Sequence, residues 1–249
     1  MMADSKTYFG NREVPEDRKA SLVADVFRSV AGKYDLMNDL MSFGIHRLWK
    51  RYTVQRAAVR PGQSVLDVAA GTGDLAKGYG ERLRGQGTLV VTDINDAMLQ
   101  IGREALVNAG LVGNVHYVRC DAEQLPFADN RFDVVSIGFG LRNVTRQQRA
   151  LESMYRCLRP GGRVLILEFS RPTLDVIRKL YDVYSFNALP KLGHWVAGDE
   201  DSYRYLVESI RRQPPQEELA TMMTEAGFER VYYHNLSGGI VALHMGCKL

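Results

Sequence analysis

The sequence predicts an α/β fold: an open, mostly parallel sheet closed by a C-terminal antiparallel hairpin, with a helical cap ahead of the first strand. Three observations predict it. Strand-like apolar runs alternate with helix-periodic segments from about residue 61 to 170, the pattern of a parallel sheet covered on both faces. The first run, "VLDVAAGTGDLA", breaks into Gly71-Thr72-Gly73 before a helical segment, as a ligand-holding strand-turn-helix does. The chain then closes in two β-like runs, "FERVYYHNL" and "GIVALHMGCKL", around Gly238 and Gly239.

Composition bounds the reading. A 249-residue chain with 45% hydrophobic and 24% charged residues is a soluble globular domain of α/β size with additions. A net charge of +3 without blocks of like charge argues against a nucleic-acid partner. The polar opening carries no secretory signal and no apolar run reaches spanning length. Cys120, Cys157 and Cys247 lack metal-like spacing, so buried thiols in a reducing cytosol and no metal are expected.

In chain order, residues 1–15 are expected to be a mobile arm and 16–60 a helical cap. Leu22, Val23, Val26, Phe27 and Val30 recur at helical spacing opposite Arg18, Lys19, Asp25 and Arg28, and a second helical segment runs through Trp49 and Tyr52. Strands are predicted at 63–69, 87–93, 114–119, 132–138 and 163–170, with helices at 95–108 and 145–158. The latter opens with Thr145 and Gln148 at capping-box spacing and stops at "RPGG". Residues 171–212 read as an aromatic-rich helical insertion, followed by a helix near 216–226 and the closing hairpin.

Gly71, Gly73 and Ala76 fit the G-x-G-x-x-A dinucleotide fingerprint, with Asp93 at the distance of a ribose-binding carboxylate. Asp67, inside the first strand, disturbs that reading. Asp67, Asp93 and Asp121 stand at the carboxyl ends of the first three strands, where open α/β sheets bind ligands. Such a row repels a diphosphate and suits a nucleoside carrying a sulfonium, an ammonium, a ribose diol and an adenine amine, which describes S-adenosylmethionine. Taken singly, each residue reads as a turn glycine or an N-cap aspartate.

The elements "LDVAAGTGD", "TDIN" and "CDAEQLPF" resemble motifs I to III of the class I methyltransferases, with Ala69 at the usual first glycine. The resemblance implies a Rossmann-like sheet. It further implies Asp67 toward the methionine end, Gly71, Thr72 and Gly73 close to it, Asp93 on the ribose hydroxyls, and Asp121 with the Ala122 amide on adenine. "SIGFGLRNV" lacks both the Asn/Asp-Pro-Pro-aromatic signature of adenine-amine enzymes and the Pro-Cys pair of cytosine enzymes. "YDLMNDLMSFGIHRLW" and "RCLRPGGRVLILEFS" resemble two signatures of the ubiquinone/menaquinone biosynthesis C-methyltransferases, departing at Cys157 and Arg159, where Val and Lys are usual. The likeness runs from about residue 18 to the C-terminus.

That resemblance implies methylation of a ring carbon of a polyprenylated benzoquinol, a demethylmenaquinol or both, with 61–249 as the catalytic domain. Gly138 replaces a serine that many relatives assign to the cofactor, which leaves a backbone contact. Arg142, Asn143 and His46 are candidate catalytic groups near the quinol oxygen. The alternatives are a loop ion pair for Arg142 and, for His46, a histidine that orients the cap. Tyr34, Asp35 and Tyr184 are candidate substrate contacts, with helix-turn packing the alternative for the first two. The stretch 181–205 and the helix at 18–30 are expected to wall an apolar path for the tail. A cytoplasmic protein in transient contact with the membrane surface is expected, with a homo-oligomer or a quinone-biosynthesis complex left open. Two alternatives remain: a methyltransferase of another lipid or small acceptor, and a non-catalytic cofactor-binding scaffold.

Overall fold

A computed structural model describes residues 5–30, 38, 39, 42, 44–173 and 200–249. Tyr34, Asp35 and Tyr184 lie outside the described residues, as does most of the insertion expected over 171–212.

The chain opens with β1 (Lys6–Phe9) and β2 (Arg12–Pro15), paired antiparallel. Where the sequence suggests a mobile arm, there is a docked hairpin whose Val14 is buried and whose Phe9 ring stacks on Tyr205. Local pattern carries no sign of this, because the partner surface, Tyr205 and Glu208, lies nearly 200 residues along the chain. The helices α1 (Glu16–Val30) and α2 (His46–Ala57) come next among the described residues.

β3 (Ser64–Val68), α3 (Asp74–Leu83), β4 (Thr88–Asp93), α4 (Asp96–Asn108), β5 (Val115–Arg119), β6 (Phe132–Gly138), α5 (Gln147–Cys157) and β7 (Leu158–Phe169) alternate as the periodicity predicts. α6 (Glu200–Arg212), α7 (Gln216–Glu225), β8 (Glu229–Leu236) and β9 (Val241–Cys247) complete the described chain. The sheet order is β5-β4-β3-β6-β7-β9-β8, parallel from β5 to β7, with β9 antiparallel to both β7 and β8.

Alternation along the strands builds two cores. Val65, Val91, Val134, Leu165 and Leu167 face one layer with α2 and α3, while Leu66, Val90, Val135, Ile137 and Ile166 face the other with α5 and α7. Asp67 and Ser136 interrupt the first layer at strand ends, on neighbouring strands in register. Polar residues at that level mark where the core gives way to a cleft.

Two local expectations need correction. The capping box of Thr145 and Gln148 does not form. α5 begins at Gln147 with Arg146 at its N-cap and no side-chain cap, because the Glu123 carboxylate accepts from the Arg146 backbone N–H at 2.9 Å and from its Nε at 2.8 Å. The fifth parallel strand begins at Leu158 rather than 163: Leu158 pairs with Phe132, the chain bulges through Gly161, at φ 78°, and pairing resumes at Arg163 with Val134.

Candidate functional site

The order of the sheet reverses at β3, whose neighbours are β4 on one side and β6 on the other. A cleft opens above the carboxyl ends of these strands, as the switch-point rule requires. It is lined by Asp67, Gly71, Thr72, Asp93, Asp121, Ala122, Gly138 and Asn143, and roofed by Ala20, Val23, Ala24 and Phe27 of α1. Eight sequence-predicted residues therefore meet in one place. Gly73 stands just behind them as the N-cap of α3, at φ 84°.

The glycine turn is held by β4. The Asp93 carboxylate accepts from the Gly71 N–H at 2.9 Å through Oδ2 and from the Asn95 N–H at 2.8 Å through Oδ1. Burial raises the Asp93 pKa, and the amides of Asn95, Gly71 and Ile94 partly offset the rise. The carboxylate keeps acceptor capacity for a ligand hydroxyl. From below, the turn rests on Gly102 of α4: a Cβ there would stand 2.6 Å from the Gly71 carbonyl oxygen. A Cβ on Gly73 would meet Leu106 at 2.5 Å. Gly102 was missed in the sequence, although an isolated glycine inside a periodic helix is a known sign of close approach.

Asp67 forms the floor and is 1% exposed. Its Oδ1 accepts from Ser136 Oγ at 2.7 Å, while Oδ2 accepts no hydrogen bond. Burial pushes its pKa up to about 7, against the pull of the Ser136 hydroxyl and the Ala76 amide. The sequence suggests three full anions; burial instead leaves Asp67 only partly ionised near neutrality until a cation arrives. A buried carboxylate oxygen without a partner, in a cleft with two further carboxylates, fits the cationic methionine end of S-adenosylmethionine. Asp121 accepts from the Glu123 N–H at 2.9 Å and starts the 3₁₀ turn Ala122–Gln124, so its N-cap role and its place in the cleft coexist. At Gly138 a Cβ would press Leu75 Cδ1 at 2.7 Å, so the missing side chain makes room for Leu75.

The catalytic candidates separate. Asn143 lines the cleft, and its Oδ1 accepts from Tyr205 Oη at 2.9 Å. The Arg142 guanidinium is not among the groups that line the cleft. Its Nη1 donates to Glu168 Oε1 at 2.9 Å and to the Phe139 carbonyl, the pair is 4% and 1% exposed, and the guanidinium carbon lies 5.3 Å from the Phe169 ring centroid. Glu168 was not singled out in the sequence; an acid within the apolar run "VLILEF" was the signal. His46 also faces away from the cleft, onto the adjoining groove between α2 and α3. The Ser42 hydroxyl donates to the Asn38 carbonyl at 2.7 Å, so His46 Nδ1, 2.9 Å away, must carry the proton it shares with Ser42. Burial, with Lys50 adding to it, lowers the His46 pKa and keeps the ring neutral. These hydrogen bonds tie the start of α2 to Ser42.

The model of the ubiE/COQ5 methyltransferase family matches residues 13–248. The ubiquinone/menaquinone biosynthesis C-methyltransferase UbiE of Idiomarina loihiensis is 60% identical over 240 residues, covering 96% of each chain. The protein of the same name from Klebsiella pneumoniae subsp. pneumoniae is 59% identical over 250 residues, covering 100% of both. Among solved structures, a SAM-dependent methyltransferase of Aquifex aeolicus superposes with a TM-score of 0.59 at 16% identity, over 86% of this chain and 98% of that one. A SAM-dependent methyltransferase of Thermotoga maritima gives 0.61 at 20% identity, over 90% and 99%. These two likenesses carry the fold.

Proposed function

This chain belongs to the ubiE/COQ5 methyltransferase family and is an S-adenosylmethionine-dependent C-methyltransferase of ubiquinone and menaquinone biosynthesis; from that we propose how its cleft divides the work. Asp67, Asp93, Asp121 and Ala122 hold the cofactor, with Gly71, Thr72, Gly73 and Gly138 shaping the backbone against it, and Asn143 faces the quinol ring. One observation carries the cofactor half: the unpartnered Asp67 Oδ2 on the floor of a cleft that Asp93 and Asp121 also line. When bound, S-adenosylmethionine supplies an electrophilic methyl on sulfonium.

The chain's own residues then have two tasks. The first is alignment. Fixing an acceptor carbon and a methyl group in one closed cleft is worth ~7–11 kcal/mol of the barrier, and the apolar side chains of α1 exclude water while it is done. The second is charge. A ring carbon is nucleophilic enough only in the reduced quinol, best as its phenolate, so a fixed donor at the quinol oxygen favours the reactive form. Because Tyr205 occupies Asn143 Oδ1, the amide N–H groups are what Asn143 offers to the cleft.

The test uses purified protein, S-adenosylmethionine and a short-tailed quinol analogue. Methyl transfer is expected with the reduced ring and lost when only the oxidised quinone is supplied. Undiminished transfer to the quinone would overturn the chemistry. In cells lacking the protein, mass spectrometry of membrane quinones should show species one methyl short.

The quinol resides in a bilayer, and among the described residues no helix is long and apolar enough to cross one. Contact with the membrane surface is supported by the outer side of α2 and α3. Leu48 is 64% and Ile45 39% exposed, beside a groove in which Arg51, Arg60, Lys77, Arg82 and Arg84 outnumber the carboxylates of Asp74 and Glu81. Apolar side chains flanked by cations suit an anionic lipid surface. Flotation with anionic vesicles should weaken for Leu48→Ser and for Arg51→Glu. Equal flotation of both variants and the parent would remove this face from consideration.

A further inference from the structure

The N-terminal hairpin touches one face of α6 at three successive places. Phe9 stacks on Tyr205 with ring centroids 4.3 Å apart and planes 18° from parallel. The Asn11 N–H donates to Glu208 Oε2 at 2.9 Å, and the Glu208 side chain closes over Gly10, where a Cβ would collide with it. The Arg212 guanidinium lies 3.6 Å from the centroid of the Tyr8 ring. Positions 205, 208 and 212 share one side of a helix, so the hairpin lies along α6 rather than meeting it at a point.

The middle of this contact reaches the cleft. Tyr205 is 4% exposed, and its hydroxyl donates to Asn143 Oδ1 at 2.9 Å. Burial raises the phenol pKa well above its ordinary value, so the hydroxyl remains a donor throughout the working range. A tyrosine hydroxyl is placed by the tilt of its ring, and the Phe9 ring lies flat against that ring.

We propose that the hairpin is a positioning element of the active site: Phe9 fixes the ring of Tyr205, which fixes the amide of Asn143 toward the quinol. Phe9 and Tyr205 are positioning residues; neither touches the reacting atoms. The inference rests on the reading of Asn143 as the quinol-facing donor. It explains why a short two-stranded ribbon, marginal by itself, is docked on a helix next to the cleft.

A double-mutant cycle tests it, with kcat and KM for the quinol and Kd for S-adenosylmethionine measured on the full chain. Tyr205→Phe and Phe9→Ala should each lower kcat/KM for the quinol by roughly three- to tenfold, the scale of one misplaced hydrogen bond, with cofactor Kd unchanged. Phe9→Tyr, which retains the stacked ring, should restore the rate. Phe9→Leu, which keeps apolar volume without a ring plane, serves if the alanine variant does not fold. In the Tyr205→Phe background, removing the Phe9 ring should have no further effect. Additive losses, an unchanged kcat/KM for Phe9→Ala, or an equal loss of cofactor affinity would each overturn the proposal while leaving Asn143 in place. Full activity of Asn143→Ala would instead remove the reading beneath it, and the hairpin would then be structural only.

Discussion

Gly102, in the interior of α4, lies directly beneath the carbonyl of Gly71: a Cβ on Gly102 would stand 2.6 Å from that oxygen. The helix and the cofactor loop are therefore in backbone contact, and the loop cannot move without the helix. Alanine ordinarily stabilises a helix interior by ~0.5–1 kcal/mol over glycine. Gly102→Ala is expected to do the opposite, destabilising by about 1–3 kcal/mol as overpacked sites do and weakening S-adenosylmethionine binding. Urea unfolding and calorimetric titration check it. A variant more stable than the parent, with unchanged affinity, would refute the contact.

Asp67 makes both stability and binding depend on pH. Its folded-state pKa of about 7 lies above the ordinary carboxylate value. The folded protein thus binds a proton that the unfolded chain has lost, and stability falls as pH rises from about 4 to about 7. The shift corresponds to on the order of 4 kcal/mol across that window. Asp67→Asn should flatten this slope in the ligand-free protein. A cationic ligand prefers the ionised carboxylate, so affinity for S-adenosylmethionine should rise with pH up to about 7 and then level off. Titrations in buffers of different ionisation enthalpy would register the released proton; a flat affinity profile from pH 5 to 8 would contradict it.

Arg142 and Glu168 form a buried pair that also serves the backbone: Glu168 accepts from the N–H groups of Arg142 and Phe169, and Arg142 donates to the Phe139 carbonyl. Removing one charge strands the other, so Arg142→Ala should cost about 3–5 kcal/mol. Arg142→Met with Glu168→Leu should cost less than the sum of the single losses, though the two amides left without an acceptor prevent full recovery. Chemical denaturation gives both values. A single variant within 1 kcal/mol of the parent would mean that the pair is not closed in solution.

Ala69 adopts φ 49° at the end of β3, where the left-handed conformation costs a residue with a Cβ ~1–2 kcal/mol. Gly140 gives its methyl room, since a Cβ there would lie 2.8 Å from Ala69 Cβ. Ala69→Gly should relieve the strain and, after the ~0.5–1 kcal/mol entropic cost of glycine, raise stability by at most about 1 kcal/mol. A lower melting temperature would show that the methyl contact outweighs the strain.

Much of this protein was legible in its sequence. The parallel strands followed from runs such as 132–138, and the closing hairpin from Gly238 and Gly239. Asp67, Asp93 and Asp121 were found because strand ends in an open α/β sheet converge whatever the loops between them do. The loss of the capping box at Thr145 and the docked hairpin at 6–15 were not legible because a carboxylate and a helix face remote in sequence outcompete the local pattern. Arg142 was recognised as important, yet the reason lay 26 residues away in Glu168.

The sequence by itself determined the periodicities: which residues alternate, which recur every third or fourth position, and where glycines and aspartates punctuate strand ends. These are local consequences of backbone geometry and of burying apolar faces. Only the tertiary structure decided the partners. It paired Arg142 with Glu168, left Asp67 Oδ2 bare on the cleft floor, and laid Phe9 against Tyr205. A buried polar group takes whichever partner packing brings within about 3 Å, and that distance is set by the folded chain as a whole.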